Sequence, residues 1–121
     1  MNTFPSFVDT TAATRLYHKV MGSYLPHAQR PPLVSAAWTG MELFAAVASN
    51  AGDNPTTQSI YAGLYGLNGS TLGGLAPPLT FTQGQANNVN CFYIEESTSG
   101  RYTAPKGDSP VCVNPPPLPK K

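Results

Sequence analysis

A chain of 121 residues with seven Lys and Arg against six Asp and Glu, a formal charge of +1 and 11% charged residues has room for one domain of about 100–150 residues. That balance excludes a nucleic-acid surface or a polybasic membrane patch, both of which need clustered cations. Thirteen prolines and eleven glycines predict abundant loops but fall short of a wholly disordered composition.

The N-terminus, Met-Asn-Thr-Phe-Pro-Ser-Phe, has no basic segment leading into an apolar one, so no secretory signal peptide is read there. A first helix is predicted to begin with Asp9 or Thr10 as N-cap and to stop at Pro26. Leu16, Val20 and Tyr24 recur along it at helical spacing, with Tyr17 and Met21 beside them. After Pro31 and Pro32 a second helix is predicted over 33–50. Trp38, Met41, Phe44, Ala45 and Ala48 form a broad stripe, adjoined by Leu43 and Val47, so this helix is expected to be buried on most sides. Its apolar run contains Thr39 and Glu42 and is short for a membrane span, and no membrane insertion is expected. The third helix is predicted to take Asn54 as N-cap and Pro55 at its first position, with Asn68-Gly69 just past its end. Ile60, Leu64 and Leu67 make its apolar face, and Tyr61 and Tyr65 flank it.

Beyond the helices the period changes to two. Leu79 and Phe81 alternate with Thr80 and Thr82 as a short strand, residues 83–88 read as a turn, and 89–94 form a second strand, giving an antiparallel pair. Residues 97–100 make another turn before Arg101 and Tyr102. From Ala104 the periodicity is lost, which sets a domain at 1–103 and a tail at 104–121. Its closing Pro-Pro-Pro-Leu-Pro-Lys-Lys is expected to be extended and disordered, and it also matches a polyproline ligand for aromatic-lined grooves. There is no internal repeat.

The chemistry-bearing residues are few, and they do not assemble into a catalytic or metal site. His18 reads as an exposed helix residue and His27 as a loop residue. Asp9 is explained as a cap, Glu42 stands alone on an apolar helix, and Glu95 and Glu96 are consecutive on a strand and so face opposite sides. No serine sits in a nucleophile elbow and no glycine run makes a phosphate loop, so an enzyme is not expected, nor a cofactor. Asn68-Gly69-Ser70 fits a glycosylation acceptor, but it lies at what is already a good helix C-cap, and it is read as that. Cys91 and Cys112 stand 21 positions apart without the neighbours a zinc site needs. Two readings remain: two thiols, or a disulfide of roughly 3 kcal/mol in an oxidising compartment.

Taken in order, Phe4-Pro5-Ser6-Phe7 with its helix, then Ala36-Ala37-Trp38-Thr39-Gly40-Met41, then Thr71-Leu72-Gly73-Gly74-Leu75, Pro77-Pro78-Leu79-Thr80-Phe81 and Asn90-Cys91-Phe92, the chain resembles the C-terminal portion of type I periplasmic solute-binding proteins. These are the branched-chain amino acid type that serves ABC importers. The likeness runs over residues 4–102 and is most specific over 71–93. It implies a partial α/β fold of three helices followed by a strand pair at the hinge between two lobes. It further implies an amino acid-like solute held between those lobes, an ABC permease as partner and an extracytoplasmic setting. Full members of the family are several times longer, and the parallel strands under the helices are missing here. The faces of Trp38, Phe44, Leu64 and Tyr61 are therefore expected to lack partners, each forgoing about 1.5–3 kcal/mol, and the chain alone is not expected to bind its ligand. By position in the family's pattern, Ser35 and Trp38 are the candidates to line the cleft edge in a complete protein, although Trp38 reads first as a core residue. The competing expectation is a stand-alone module that pairs with a partner chain or oligomerises.

Overall fold

Two threonines start the first helix. Thr11 Oγ1 accepts from the Thr14 amide at 3.1 Å while Thr14 Oγ1 accepts from the Thr11 amide at 3.0 Å, so each side chain satisfies an amide that the helix leaves without a partner. The structure, a computed structural model, describes residues 3–27, 31–85 and 89–114, and it sets α1 at Ala12–Tyr24. The cap is therefore Thr11 and not Asp9 or Thr10. The face turned inward also differs from the expected row: Thr14, Tyr17 and Met21 are buried, whereas Leu16 is 48% and Tyr24 81% exposed. Tyr17 prevails because its ring meets Phe4 edge-on at 5.1 Å and Trp38 at 5.6 Å, a geometry favoured by the quadrupoles of the rings.

α2 spans Pro32–Ala48, with proline at the first position, where no amide hydrogen is needed. It buries Ser35, Thr39 and Val47. The expected envelopment is absent, since Leu33, Met41 and Phe44 stand 78%, 68% and 54% exposed. α3 is Thr57–Tyr65, capped by Thr56 and Ser59 in the same reciprocal manner as α1. Asn54 and Pro55 thus lie before the helix rather than at its cap and first turn. Gly63 brings α3 against α2: a Cβ there would stand 3.0 Å from the Val47 carbonyl oxygen. Asn68-Gly69 does not end this helix, which closes at Gly66.

Six short strands follow in three antiparallel pairs. β1 (Asn68–Ser70) pairs with β2 (Leu79–Thr80). β3 (Cys91–Phe92) pairs with β6 (Val111–Cys112), with Cys91 opposite Cys112. β4 (Glu96–Thr98) and β5 (Arg101–Thr103) form a hairpin. Its Ser99-Gly100 turn has φ of 52° and 77°, the left-handed pair that a two-residue hairpin requires. The fold is thus a small mixed α/β domain. The two strands expected to pair with each other, around 79–82 and 89–94, instead take other partners. β2 finds a nearer neighbour in β1, and β3 is drawn to the far end of the chain. Residues 104–114 are likewise not an extended tail: Gly107 N–H donates to Ala104 O at 2.9 Å, β6 follows, and Val113 N–H donates to Asn90 O at 2.9 Å. The proline-rich stretch expected at 115–121 lies outside the described residues.

Between β1 and β2 the chain makes a 3₁₀ turn, Leu72–Gly74, and the core gathers around it. Phe4, Tyr17, Met21, Leu75 and Tyr93 form the buried cluster, with Ala13, Val34, Trp38 and Leu72 packed against it. Phe4 N–H donates to Leu75 O at 3.1 Å, Thr39 Oγ1 reaches the same oxygen at 3.3 Å, and Tyr93 Oη donates to Gly74 O at 3.2 Å. Gly74 has φ of 99°, and a Cβ there would come within 2.8 Å of Thr11 Cγ2. Only glycine lets the turn lie so close to the start of α1.

Candidate functional site

Ser35 and Trp38, the pair placed at a cleft edge by resemblance, occupy the inner side of α2. Ser35 has no exposed surface, and its hydroxyl donates to Pro32 O at 2.9 Å. Trp38 is half-buried, packs on Tyr17 at 5.6 Å, and carries a buried Nε1 without an acceptor among the described residues. The helix therefore brings the two together, but as core wall; neither faces an open cleft in this chain. Trp38 also has the aromatic partner that it was expected to lack, and Leu64 is half-buried.

The surface left without cover is the outer side of α2. Leu33, Ala37, Met41, Phe44 and Ala45 are all exposed, and their spacing of three and four places them along one side of the helix. Phe44 and Tyr61 are 54% and 52% exposed, though Tyr61 stacks on Tyr65.

A second feature is an open groove of about 530 Å³ along α3, lined by Thr57, Gln58, Tyr61, Ala62 and Tyr65, with Gln83 from the loop after β2. The Tyr61 and Tyr65 rings stack one helical turn apart, 6.1 Å between centroids and 20° from parallel. Among the described residues no carboxylate, ammonium or guanidinium group lines it, and the polarity of this lining comes from amides and hydroxyls. The sequence showed Tyr61 and Tyr65 only as flanks of an apolar face, and Gln83 only as a turn residue. The i, i+4 tyrosine spacing was the available signal.

Cys91 and Cys112 are joined, with the sulfurs 2.05 Å apart, and the bond fastens β6 to β3. A further tie closes the same end of the chain, where Thr10 Oγ1 donates to Asp108 Oδ2 at 2.5 Å. Burial, and then the negative charge of Asp108, push the Tyr93 hydroxyl up to about 12, since both disfavour a phenolate. His18 is half-buried and not exposed as expected: its Nε2–H donates to Val8 O at 3.1 Å, the carbonyl having only an acceptor to offer. Asp9 offers its backbone carbonyl, not its carboxylate, to Arg15 at 3.4 Å.

Among the described residues no group of three or more His, Cys, Asp or Glu could hold a metal ion, and no helix is long and apolar enough to cross a membrane. No protein-family model, curated protein or solved structure matches this chain.

Proposed function

We propose that this chain is the C-terminal part of a two-lobed solute-binding protein of the kind that delivers small polar, amino acid-like solutes to an ABC permease. It acts by binding and not by catalysis. The observation that carries the reading is the bare apolar side of α2, with Leu33, Met41 and Phe44 more than half exposed. In α/β lobes such a helix side is covered by a sheet or a neighbouring helix, and here no larger sheet exists among the described residues, only two-stranded pairs. The order of motifs from Phe4 to Tyr102 supports the same reading. In the whole protein the mechanism is hinge closure, with affinity drawn from contacts made only when the lobes shut.

The test is thermal unfolding of the purified 121-residue chain by circular dichroism, alongside size-exclusion chromatography and binding of an apolar dye. A broad melt, dye binding and self-association are expected. A sharp, reversible melt from a dye-silent monomer would overturn the reading.

The other reading is a module that docks on a partner chain. It draws on the fact that the chain does build a cluster of its own, with Phe4, Tyr17 and Leu75 at 0–1% exposure. It predicts a sharp melt from a defined oligomer, with the α2 stripe protected from solvent.

A further inference from the structure

The groove along α3 has a chemistry that the solute-binding reading does not use. Gln58, Tyr61, Ala62 and Tyr65 recur at intervals of three and four, so they share one side of the helix. That side is braced from behind, because Gly63 lets α3 lie directly against Val47 of α2. The facing wall is a tight turn. Gln85 N–H donates to Thr82 O at 3.1 Å, and Gly84 takes a φ of 74°, the positive value that such a turn accepts at its third position. Gln83 is thereby presented to the groove from the second position.

Five of the six lining residues end in an amide or a hydroxyl, and every one of these groups both donates and accepts hydrogen bonds. An ionic ligand finds no counter-charge among them, and a wholly apolar one leaves the amides unmatched. Tyr61 and Tyr65 lie 6.1 Å apart and 20° from parallel. A flat ring slipped between them would need about 7 Å, two contact distances of about 3.5 Å, so a ligand lies along the tyrosines and not between them. Both rings are reachable, at 52% and 40% exposure. The ligand that fits sets C–H groups against the electron-rich ring faces and carries a rim of neutral hydroxyls that donate and accept. A sugar ring has both features. The groove, about 530 Å³, falls within the range of about 300–1,000 Å³ usual for small-ligand sites. We propose that the α3 groove is a binding site for a neutral saccharide, with its C–H face on Tyr61 and Tyr65 and its hydroxyls on the Gln58 and Gln83 amides. This site is separate from a solute cleft between lobes and does not depend on one.

The experiment is a titration of the full 121-residue chain with cellobiose, maltotriose and diacetylchitobiose, followed by nuclear magnetic resonance of the glutamine side-chain amides. Saturable shifts at Gln58 and Gln83 are expected with at least one of the three sugars. Tyr61→Ala and Gln83→Ala, both at exposed positions, are each expected to weaken that binding about tenfold. The backbone amide of Phe4, which is fully buried and bonded to Leu75 O, reports on folding and is expected to stay at its unsubstituted shift. Gln83→Ala decides the matter if the tyrosine change disturbs that amide. Tyr24→Ala, at an 81% exposed tyrosine outside the groove, is expected to alter nothing. Absence of shifts with all three sugars overturns the proposal, as does binding that survives both groove substitutions. Equal binding of phenol or of glucuronic acid also overturns it, since the first assigns the groove to flat rings and the second to anions.

Discussion

Gly74→Ala is a direct test of how the core closes. The added methyl has two costs. At φ of 99° an L-residue sits in left-handed territory, which costs about 1–2 kcal/mol. The methyl also meets Thr11 Cγ2 at 2.8 Å, and Thr11 cannot simply swing aside, because its Oγ1 accepts from the Thr14 amide at 3.1 Å. Rotating it away forfeits the cap of α1, at about 1 kcal/mol, and pushing the backbone apart costs a similar overpacking energy. Together these effects come to about 2–4 kcal/mol. Gly84→Ala is the control: its φ is 74°, but nothing lies within 4 Å of the place its methyl would take, so only the conformational cost applies. Native-state amide exchange at Phe4, whose N–H is bonded to Leu75 O in the same core, compares them without needing one cooperative transition. Gly74→Ala is expected to lose at least about 1 kcal/mol more than Gly84→Ala. Equal losses would refute the claim that Thr11 is pinned and that the turn is packed against α1.

Two other outcomes follow from the far end of the chain. Reduction of Cys91–Cys112, which spans 21 positions, is expected to lower stability by about 3 kcal/mol through the freed unfolded chain, and to open residues 104–114 to protease. Unchanged protease resistance of residues 104–114 under reductant would contradict this. Tyr93, held neutral up to about 12 against an ordinary 10.0, is an acid whose folded pKa is raised. Its contribution is whole below pH 10 and is lost as the pH rises through 10 to 12, by about 2–3 kcal/mol. Ultraviolet titration should show a late tyrosine ionisation, and Tyr93→Phe should remove the part of it, and of the alkaline loss of stability, that belongs to this residue.

The three helices were legible because their apolar spacing is local, and so was the Ser99-Gly100 turn. What misled was competition between equally valid local signals. Asn54-Pro55 is a good helix start, but Thr56 and Ser59 satisfy each other's amides and prevail two residues later. On α1, Leu16 and Tyr24 are more obvious core candidates than Thr14. Yet the Thr14 hydroxyl is already occupied by the Thr11 carbonyl at 3.2 Å, so it can be buried without leaving a polar group unmet, and the inward face rotates accordingly. Strand partners were beyond local reading altogether, because β3 pairs with β6 across the intervening β4–β5 hairpin. Ser35 and Trp38 were singled out by resemblance alone, and spacing along α2 could not reveal that Tyr17 would cover the indole.

The convergence of Phe4, Thr39 and Tyr93 on the carbonyls of Gly74 and Leu75 has a consequence in time. Phe4 is made 89 residues before Tyr93, so the clasp cannot close until synthesis has passed Tyr93. Contacts of such long sequence separation form slowly, and until they do, α1 and α2 remain amphipathic helices without a common core, exposed to association. The stretch from Phe4 to Tyr93 therefore stays open and threadable until the strand that carries Tyr93 has been made.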